Sequence, residues 1–277
     1  MQGENGVLIK PLEKEERLAA GRALLPTIQT PNPIDLSKLI DPVYDVKSHS
    51  RIRVANGKYY VQGSGYLISL PSHVTEKLAL FVGLFYGDGS LVSSKSAARF
   101  STWRIDFAEG DKELVTIFAR LGKEIFNLDF DVQSRLSWHV AHARNKIIYR
   151  FLSNICGHPA GRKTGMLHIP NIFRLSTATE KFLSGLFSTE GTVYPCYKSQ
   201  PRIVIAMQEE GLMNEIYEEL IRLGFSPTRN TEVRGKRRLH RVALYGFVQA
   251  RMFKERIGFL GAKNKKLEML LKQQIAR

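Results

Sequence analysis

Sulfur is scarce in this chain, where Cys156 and Cys196 are the two cysteines. Two thiols cannot make a disulfide framework, which excludes a small secreted scaffold held by crosslinks. Long apolar runs are missing too. The longest, Leu78 to Phe85, falls far short of the roughly 20 residues that cross a bilayer. The opening Met1-Gln-Gly-Glu-Asn-Gly is polar and lacks the hydrophobic segment of a secretory signal. An intracellular, soluble protein is expected, in a prokaryotic cytoplasm first; an organelle stays open, although the Arg-rich, Asn-poor composition does not suggest an AT-rich organellar gene. Acid is the third shortage, with 26 Asp and Glu against 41 Lys and Arg and a net charge of +15. That excess favours a polyanionic partner, of which nucleic acid is the commonest. At 277 residues, 43% of them apolar, the chain can bury one large core or two small ones.

What is present is a repeat. Phe81-Val-Gly-Leu-Phe-Tyr-Gly-Asp88-Gly89 recurs 102 residues later as Leu183-Ser-Gly-Leu-Phe-Ser-Thr-Glu190-Gly191. The same offset pairs Gly83 with Gly185, Glu113 with Glu215, Gly122 with Gly224, Val140 with Val242, Phe151 with Phe253 and Lys163 with Lys265. A gapless register of this length predicts a duplicated, two-lobed monomer whose two acids face each other.

Residues 1–70 stand outside the repeat. Leu12 to Leu25 reads as a short charged helix, and Pro26, Pro31, Pro33 and Pro42 break the next stretch into loops. Arg51 to Gln62 reads as a basic, aromatic hairpin turning at Asn56-Gly57. The first repeat, residues 71–172, reads as helix (76–86), strand pair (91–107), helix (112–126), strand pair (129–143) and helix (146–155). The second, residues 173–277, has the same order and ends in a helix over 264–274. In 112–126, Leu114, Ile117, Phe118, Leu121 and Ile125 share one face. Hairpins that alternate with helices in this order predict an α+β fold: two four-stranded antiparallel sheets, each with helices on one face and the other face open.

Asp88 and Glu190 close the last turn of an apolar helix, each ahead of a glycine suited to a left-handed cap. A carboxylate there opposes the helix dipole by about 0.3–1 kcal/mol. Both copies break the same local rule, which points to function. Gly83 and Gly87, answered by Gly185 and Thr189, would let the two helices approach and bring both acids together. Converging oxygens suit a hard divalent cation, Mg²⁺ foremost.

These nonapeptides resemble the LAGLIDADG homing endonucleases of the single-chain, two-repeat type. His168-Ile-Pro-Asn-Ile-Phe, Lys181-Phe-Leu-Ser-Gly-Leu-Phe, Phe253-Lys-Glu-Arg-Ile-Gly-Phe-Leu and Lys263-Asn-Lys-Lys-Leu-Glu extend the resemblance over residues 72–275. It implies a saddle of two sheets over double-stranded DNA, with metal-dependent cleavage of both strands of a long site. By position it makes Asp88 and Glu190 the metal ligands, aided by the carbonyls of Gly87 and Thr189. It implies a polar residue at the end of the second strand that orders water: Gln208, with Asp106 opposite it and Glu109 as the competing candidate. For the basic residue near the scissile phosphates, Lys146 comes first and Lys198 second. Tyr86 and Ser188 replace the acid in the middle of the family's motif. With no splicing junction in sight, a free-standing or intron-encoded enzyme is expected. The rival is a protein of the same fold that binds without cutting, an intron maturase (with RNA as partner) or a regulator.

DNA contacts are expected first from Arg229 to Arg241, a hairpin turning near Gly235 and carrying Arg229, Arg234, Lys236, Arg237, Arg238 and Arg241. Strand alternation turns Ile203, Ile205 and Met207 toward the helices, and Thr102, Arg104 and Arg202 toward DNA, with Tyr197 and Lys198 at a hairpin tip. A zinc site from His139, His142, Cys156 and His158 is disfavoured, because the two histidines, three apart on a strand, point to opposite faces.

Overall fold

The computed structural model describes residues 33–36, 51–55, 58–63, 66–95, 101–161, 163, 165–174, 177–197, 200–235 and 237–272. The helix expected over 12–25, the turn at Asn56-Gly57, and Lys198 and Lys236 lie outside them.

Three strands come first: β1 (Arg51–Ala55), β2 (Lys58–Gly63) and β3 (Tyr66–Pro71), a meander in which Ala55 pairs with Lys58. The expected hairpin is there, with a third strand added. Tyr59, Val61, Ile68 and Leu70 are buried, so Tyr59 belongs to the core and not to an aromatic surface.

The first repeat then runs α1 (Glu76–Asp88), β4 (Gly89–Lys95), β5 (Ser101–Glu109), α2 (Lys112–Phe126), β6 (Asp131–Ser134), β7 (His139–Arg144) and α3 (Lys146–Arg150), which continues as a π turn over Phe151–Ile155. The second runs α4 (Ala178–Glu190), β8 (Gly191–Pro195), β9 (Pro201–Met207), α5 (Glu210–Arg222), β10 (Thr228–Arg234), β11 (Arg237–Tyr245), α6 (Gly246–Arg256) and α7 (Gly261–Lys272). Each repeat makes a four-stranded antiparallel sheet, ordered β4-β5-β7-β6 and β10-β11-β9-β8. One face of each sheet carries Ile105, Phe107 and Ala141, or Ile203, Ile205 and Val242, into a core shared with the helices. The N-terminal meander packs on that helical side, where Ser69 Oγ donates to Ile125 O (2.8 Å) and Asn127 Nδ2 donates to Leu67 O (2.9 Å) at the end of α2.

The duplication is real in the fold, but the gapless register is not. Gly89 pairs with Phe107 whereas Gly191 pairs with Ile205, so the first hairpin is four residues longer. Val204, not Gln208, is therefore the counterpart of Asp106. Gly122 is buried inside α2, where a Cβ would meet Phe130 Cε2 at 2.4 Å, while Gly224, with φ of +83°, comes just after the end of α5. Two glycines 102 apart thus answer different demands: space in one case, a left-handed backbone in the other.

The repeats join through α1 and α4. A Cβ on Gly83 would lie 2.1 Å from Phe182 O, and one on Gly185 would lie 2.5 Å from Leu80 O. These helices touch backbone to backbone, which side chains at either position would forbid. Gly89 and Gly191, directly after the acids, have φ of −80° and an extended backbone, not the left-handed cap expected. Space again explains them: a Cβ at Gly89 would meet Phe85 O at 2.3 Å, and one at Gly191 would meet Phe187 O at 2.4 Å.

Candidate active site and nucleic-acid interface

The close approach of α1 and α4 continues to their C-terminal ends. A Cβ on Gly87 would lie 2.0 Å from Thr189 Oγ1 and 3.2 Å from Glu190 Cγ, so the second helix fills the space this glycine leaves. Asp88 and Glu190 are both half-buried there. Burial pushes the Asp88 carboxyl up to about 8, reinforced by a hydrogen bond and like charge from Glu109 and by the charge of Glu190, with Lys163 pulling the other way. Burial also raises the Glu190 carboxyl, and Glu109 adds to it while Lys163 and Lys263 oppose. Three carboxyl groups therefore crowd one desolvated place.

Neither helix has a basic residue in its last turn. Two distant lysines supply that charge. Lys163 Nζ donates to Gly87 O at 2.7 Å and to Tyr86 O at 3.3 Å. Lys263 Nζ donates to Ser188 O at 2.7 Å and to Thr189 O at 2.5 Å. The ammonium groups thus close the negative ends of both helices and face both acids. Burial lowers each lysine's pKa, and the surrounding carboxylates resist that shift. The motif positions where the resemblance placed an acid also serve here. The Tyr86 hydroxyl donates to Cys156 O, and the Ser188 hydroxyl accepts from Leu260 N–H at 2.8 Å, so each ties its helix to the chain that leads to a lysine.

The expected residues divide accordingly. Asp88 and Glu190 come together, and the carbonyls of Gly87 and Thr189 are occupied by lysine ammonium hydrogens. Strand parity decides among the polar candidates. Asp106 points to the open face, where Arg104 Nε bonds it at 2.7 Å, whereas Glu109 lies on the other parity and reaches Asp88. Gln208 is an exposed residue just past β9. In the second repeat the place of Glu109 is taken by the buried Met207, since these two pair with His139 and His240 respectively. Lys146 opens α3 behind the Asn145 cap and is not among the charges acting on Asp88 or Glu190. The lysines that do act were missed because the counterpart of Lys163 is Lys263, 100 residues on, and not Lys265, which pairs with Glu113 at 3.2 Å. A signal existed: Gly161-Arg-Lys163 and Gly261-Ala-Lys263 share a Gly-x-Lys pattern, and both glycines have positive φ (+79° and +61°).

All the donors are oxygens, which suits a hard cation. Among the described residues no group of three or more His, Cys, Asp or Glu side chains forms a metal site by itself, so ligands from substrate and water would be needed. The disfavoured zinc set is dispersed: His139 Nδ1 lies 2.9 Å from Ser134 Oγ, His142 Nε2 lies 3.4 Å from Asp131 Oδ2, and Cys156 is buried.

The open sheet faces carry the cations. Thr102 and Arg104 are exposed, and Arg104 pairs with Arg144 on the neighbouring strand. On the second sheet Tyr194, Arg202 and Tyr245 form one cross-strand row, and the Arg202 guanidinium sits 5.6 Å and 4.7 Å from the two phenol rings. Arg241 shares that face, paired with Glu232 at 2.6 Å. Tyr197 is 79% exposed at the hairpin tip. Arg229 corrects the expectation. It pairs with Val242 on the covered face, stacks 4.9 Å over Tyr217 and bonds Asn214 Oδ1 at 3.1 Å. Arg238 has the same parity as Arg229, and Arg234 and Arg237 pair beside the turn, on the parity of Arg241. No helix among the described residues is long and apolar enough to cross a membrane.

Residues 178–258 match the LAGLIDADG-like domain family. No curated protein matches the chain. Among solved structures it is similar to I-DmoI in complex with DNA and Ca, at 16% identity and a TM-score of 0.54, covering 70% of this chain and 97% of that one. The LAGLIDADG homing endonuclease I-GzeII in complex with its DNA target matches at 12% identity and a TM-score of 0.50, covering 72% and 90%. A structure from mesophilic variants of the homing endonuclease I-DmoI matches at 18% identity and a TM-score of 0.50, covering 66% and 94%. The sequence of the second repeat thus matches the LAGLIDADG-like domain family, and both repeats together share the fold of the solved LAGLIDADG homing endonucleases.

Proposed function

We propose that this chain is a site-specific DNA endonuclease that makes metal-dependent double-strand breaks in a long target. The observation that carries the proposal is the paired site: two helix-end carboxylates, Asp88 and Glu190, brought together by backbone-close helices, each end closed by a lysine. A regular fold gains nothing from burying acids at the negative end of a helix dipole. The DNA-bound and Ca-bound relatives support the same conclusion.

Asp88 and Glu190 would hold the divalent cations, with Glu109 beside Asp88. A bound cation would supply Lewis acidity and charge neutralisation for phosphodiester hydrolysis. Lys163 and Lys263 would offer their ammonium groups to phosphate oxygens. Glu109 and Gln208 would orient water. The cationic rows of the open faces would hold duplex DNA, phosphates through Arg241 and base edges through Arg104 and Arg202. The division into an N-terminal extension (1–70) and two repeats (71–172 and 173–277) belongs to the same proposal. The meander of the extension packs on the helical side, so it adds nothing to the saddle itself.

The test is selection of cleaved sites from a randomised duplex library, with Mg²⁺ and with EDTA. A discrete long site, cut with Mg²⁺ only and lost in Asp88→Asn and Glu190→Gln, is expected. Enrichment by binding with no cut under any divalent metal would overturn the nuclease and leave a binding protein.

A further inference from the structure

The two lysines at the acids arrive on arms that change sides. At the end of the first repeat, residues 165–174 run onto α5 of the second. Gly165 N–H donates to the Glu209 carboxylate, Ile169 N–H donates to Glu215 Oε2 at 2.6 Å, and Arg174 bonds that same Glu215. Toward the end of the second repeat, the start of α7 runs onto α2 of the first. Ala262 N–H donates to Asp111 Oδ2 at 2.9 Å, and Lys265 pairs with Glu113. A Cβ on Gly261 would lie 2.3 Å from Asp111 Oδ2, so this arm is pressed against the carboxylate.

Asp111 and Glu209 occupy the same place in their repeats, the residue just before the helix that comes after the second strand. Asp111 divides its oxygens: Oδ1 accepts from Glu113 N–H at 2.9 Å and caps its own helix, while Oδ2 holds the arm. Glu209 makes no side-chain cap to α5, yet it is 6% exposed. Capping therefore does not explain its burial, whereas the bond to the other repeat's arm does. The held amides flank the lysines: Gly165 is two residues past Lys163, and Ala262 directly precedes Lys263.

We propose that Glu209 and Asp111 are positioning residues, each holding from the opposite repeat the arm that delivers Lys163 or Lys263 to its helix end. This rests on the endonuclease assignment for its consequence: each strand cut depends on an acid in the repeat that does not supply the lysine. The two half-sites are interlocked, and loosening one arm disables one cut.

Conservative variants separate positioning from folding. Asp111→Asn keeps an oxygen for the Glu113 cap but turns an amide NH₂ toward Ala262 N–H, donor against donor. Glu209→Gln keeps an acceptor for Gly165 N–H, and Glu209→Ala removes it. Two readouts apply. Acetylation rates at each lysine, read by mass spectrometry on the metal-free protein, need no cleavage. Lys263 alone should become at least several-fold more reactive in Asp111→Asn, Lys163 alone in Glu209→Ala, and Glu209→Gln should restore Lys163 protection. On a duplex labelled at both 5′ ends, Asp111→Asn and Glu209→Ala should each slow one strand tenfold or more and accumulate nicks, on opposite strands. Unchanged lysine reactivity, or equal change at both lysines and both strands, would overturn the proposal. Should the wild-type protein cut no duplex, the endonuclease assignment falls, and the lysine labelling still decides whether the arms are held in this way.

Discussion

Replacing Gly83 by alanine tests the helix contact on which the whole site depends. Two effects of opposite sign compete. Alanine in a helix interior is favoured over glycine by about 1 kcal/mol, so an uncrowded position would be stabilised. Here the new methyl would stand 2.1 Å from Phe182 O and 2.9 Å from Phe182 C. Ordinary contact between carbon and oxygen needs about 3.4 Å, so α1 and α4 must part by roughly 1 Å or tilt, because a backbone carbonyl has no rotamer to change. Overpacking of a dense core typically costs about 1–3 kcal/mol, and the rigid partner puts this site at the upper end. A net loss of about 1–2 kcal/mol results, or a fall in Tm of roughly 2–8 °C for a domain this size. Asp88 and Glu190 would separate with the helices, so cleavage should fall far more than stability. Urea unfolding at unchanged m-value reads the first effect. Gly211→Ala is the control, because its methyl would meet the ring edge of the exposed His168 side chain, Cε1 at 2.8 Å and both ring nitrogens at 3.4 Å, which can turn aside. It should be neutral or slightly stabilising. If Gly83→Ala raised stability by about 1 kcal/mol, propensity alone would be acting and the close contact would be refuted.

Other measurements probe the surroundings. Burial, with some help from Lys163 and against a bond to Pro159 O, holds the His158 pKa down at about 3. The unfolded chain then binds a proton that the folded chain refuses, so stability is lost as pH falls below the unfolded value near 6.5 and continues to be lost down to about 3. This amounts to about 1.4 kcal/mol by pH 5.5, and His158→Phe should flatten unfolding curves compared at pH 7 and 5.5. Arg202→Ala should weaken DNA binding by about 1–3 kcal/mol at one base pair of the cognate site and spare base-substituted sites there, read by titration of a site panel. Arg241→Ala should reduce the salt dependence of DNA binding by about one phosphate contact. Arg229→Ala should leave that slope unchanged, because its guanidinium lies over Tyr217 on the covered face. Equal slopes for these two variants would contradict the assignment of faces.

Local signals carried the fold because they depend on short spacing. The apolar face of α2, the alternation of β5 and β9, and the paired acids at the ends of α1 and α4 were all legible within a dozen residues. Errors entered where long-range counting replaced local physics. The offset of 102 holds across α1 and α4, but a four-residue difference in the next hairpins carries Glu209 to the place of Asp111. The repeat register misdirected Asp106 and the density of charge misdirected Arg229, and strand parity corrects both, since one residue of register moves a side chain to the other face. Lys163 and Lys263 were hidden for another reason. Lys163 lies in irregular chain and Lys263 in the first turn of α7, both on arms whose course is set by tertiary bonds to the opposite repeat, and no periodicity announces such bonds.

The unequal hairpins carry a consequence for the kind of target this saddle could match. Lys95 pairs with Ser101 and Pro195 with Pro201, the same separation in each, so the extra length lies in the paired strands: two more residues on each side of the first hairpin. At about 3.4 Å per residue this adds roughly 7 Å of reach. The rise of duplex DNA is also about 3.4 Å per base pair, so the added reach spans about two steps. A homodimer measures both halves of its site with one ruler and must accept near-palindromes. On the proposed function, this chain would carry two rulers of different length and different lettering, with Arg104 tied to Asp106 on one and Arg202 clasped by two tyrosines on the other. Its preferred sequence should be lopsided about the cut, and reversing one half-site should abolish recognition rather than leave it unchanged.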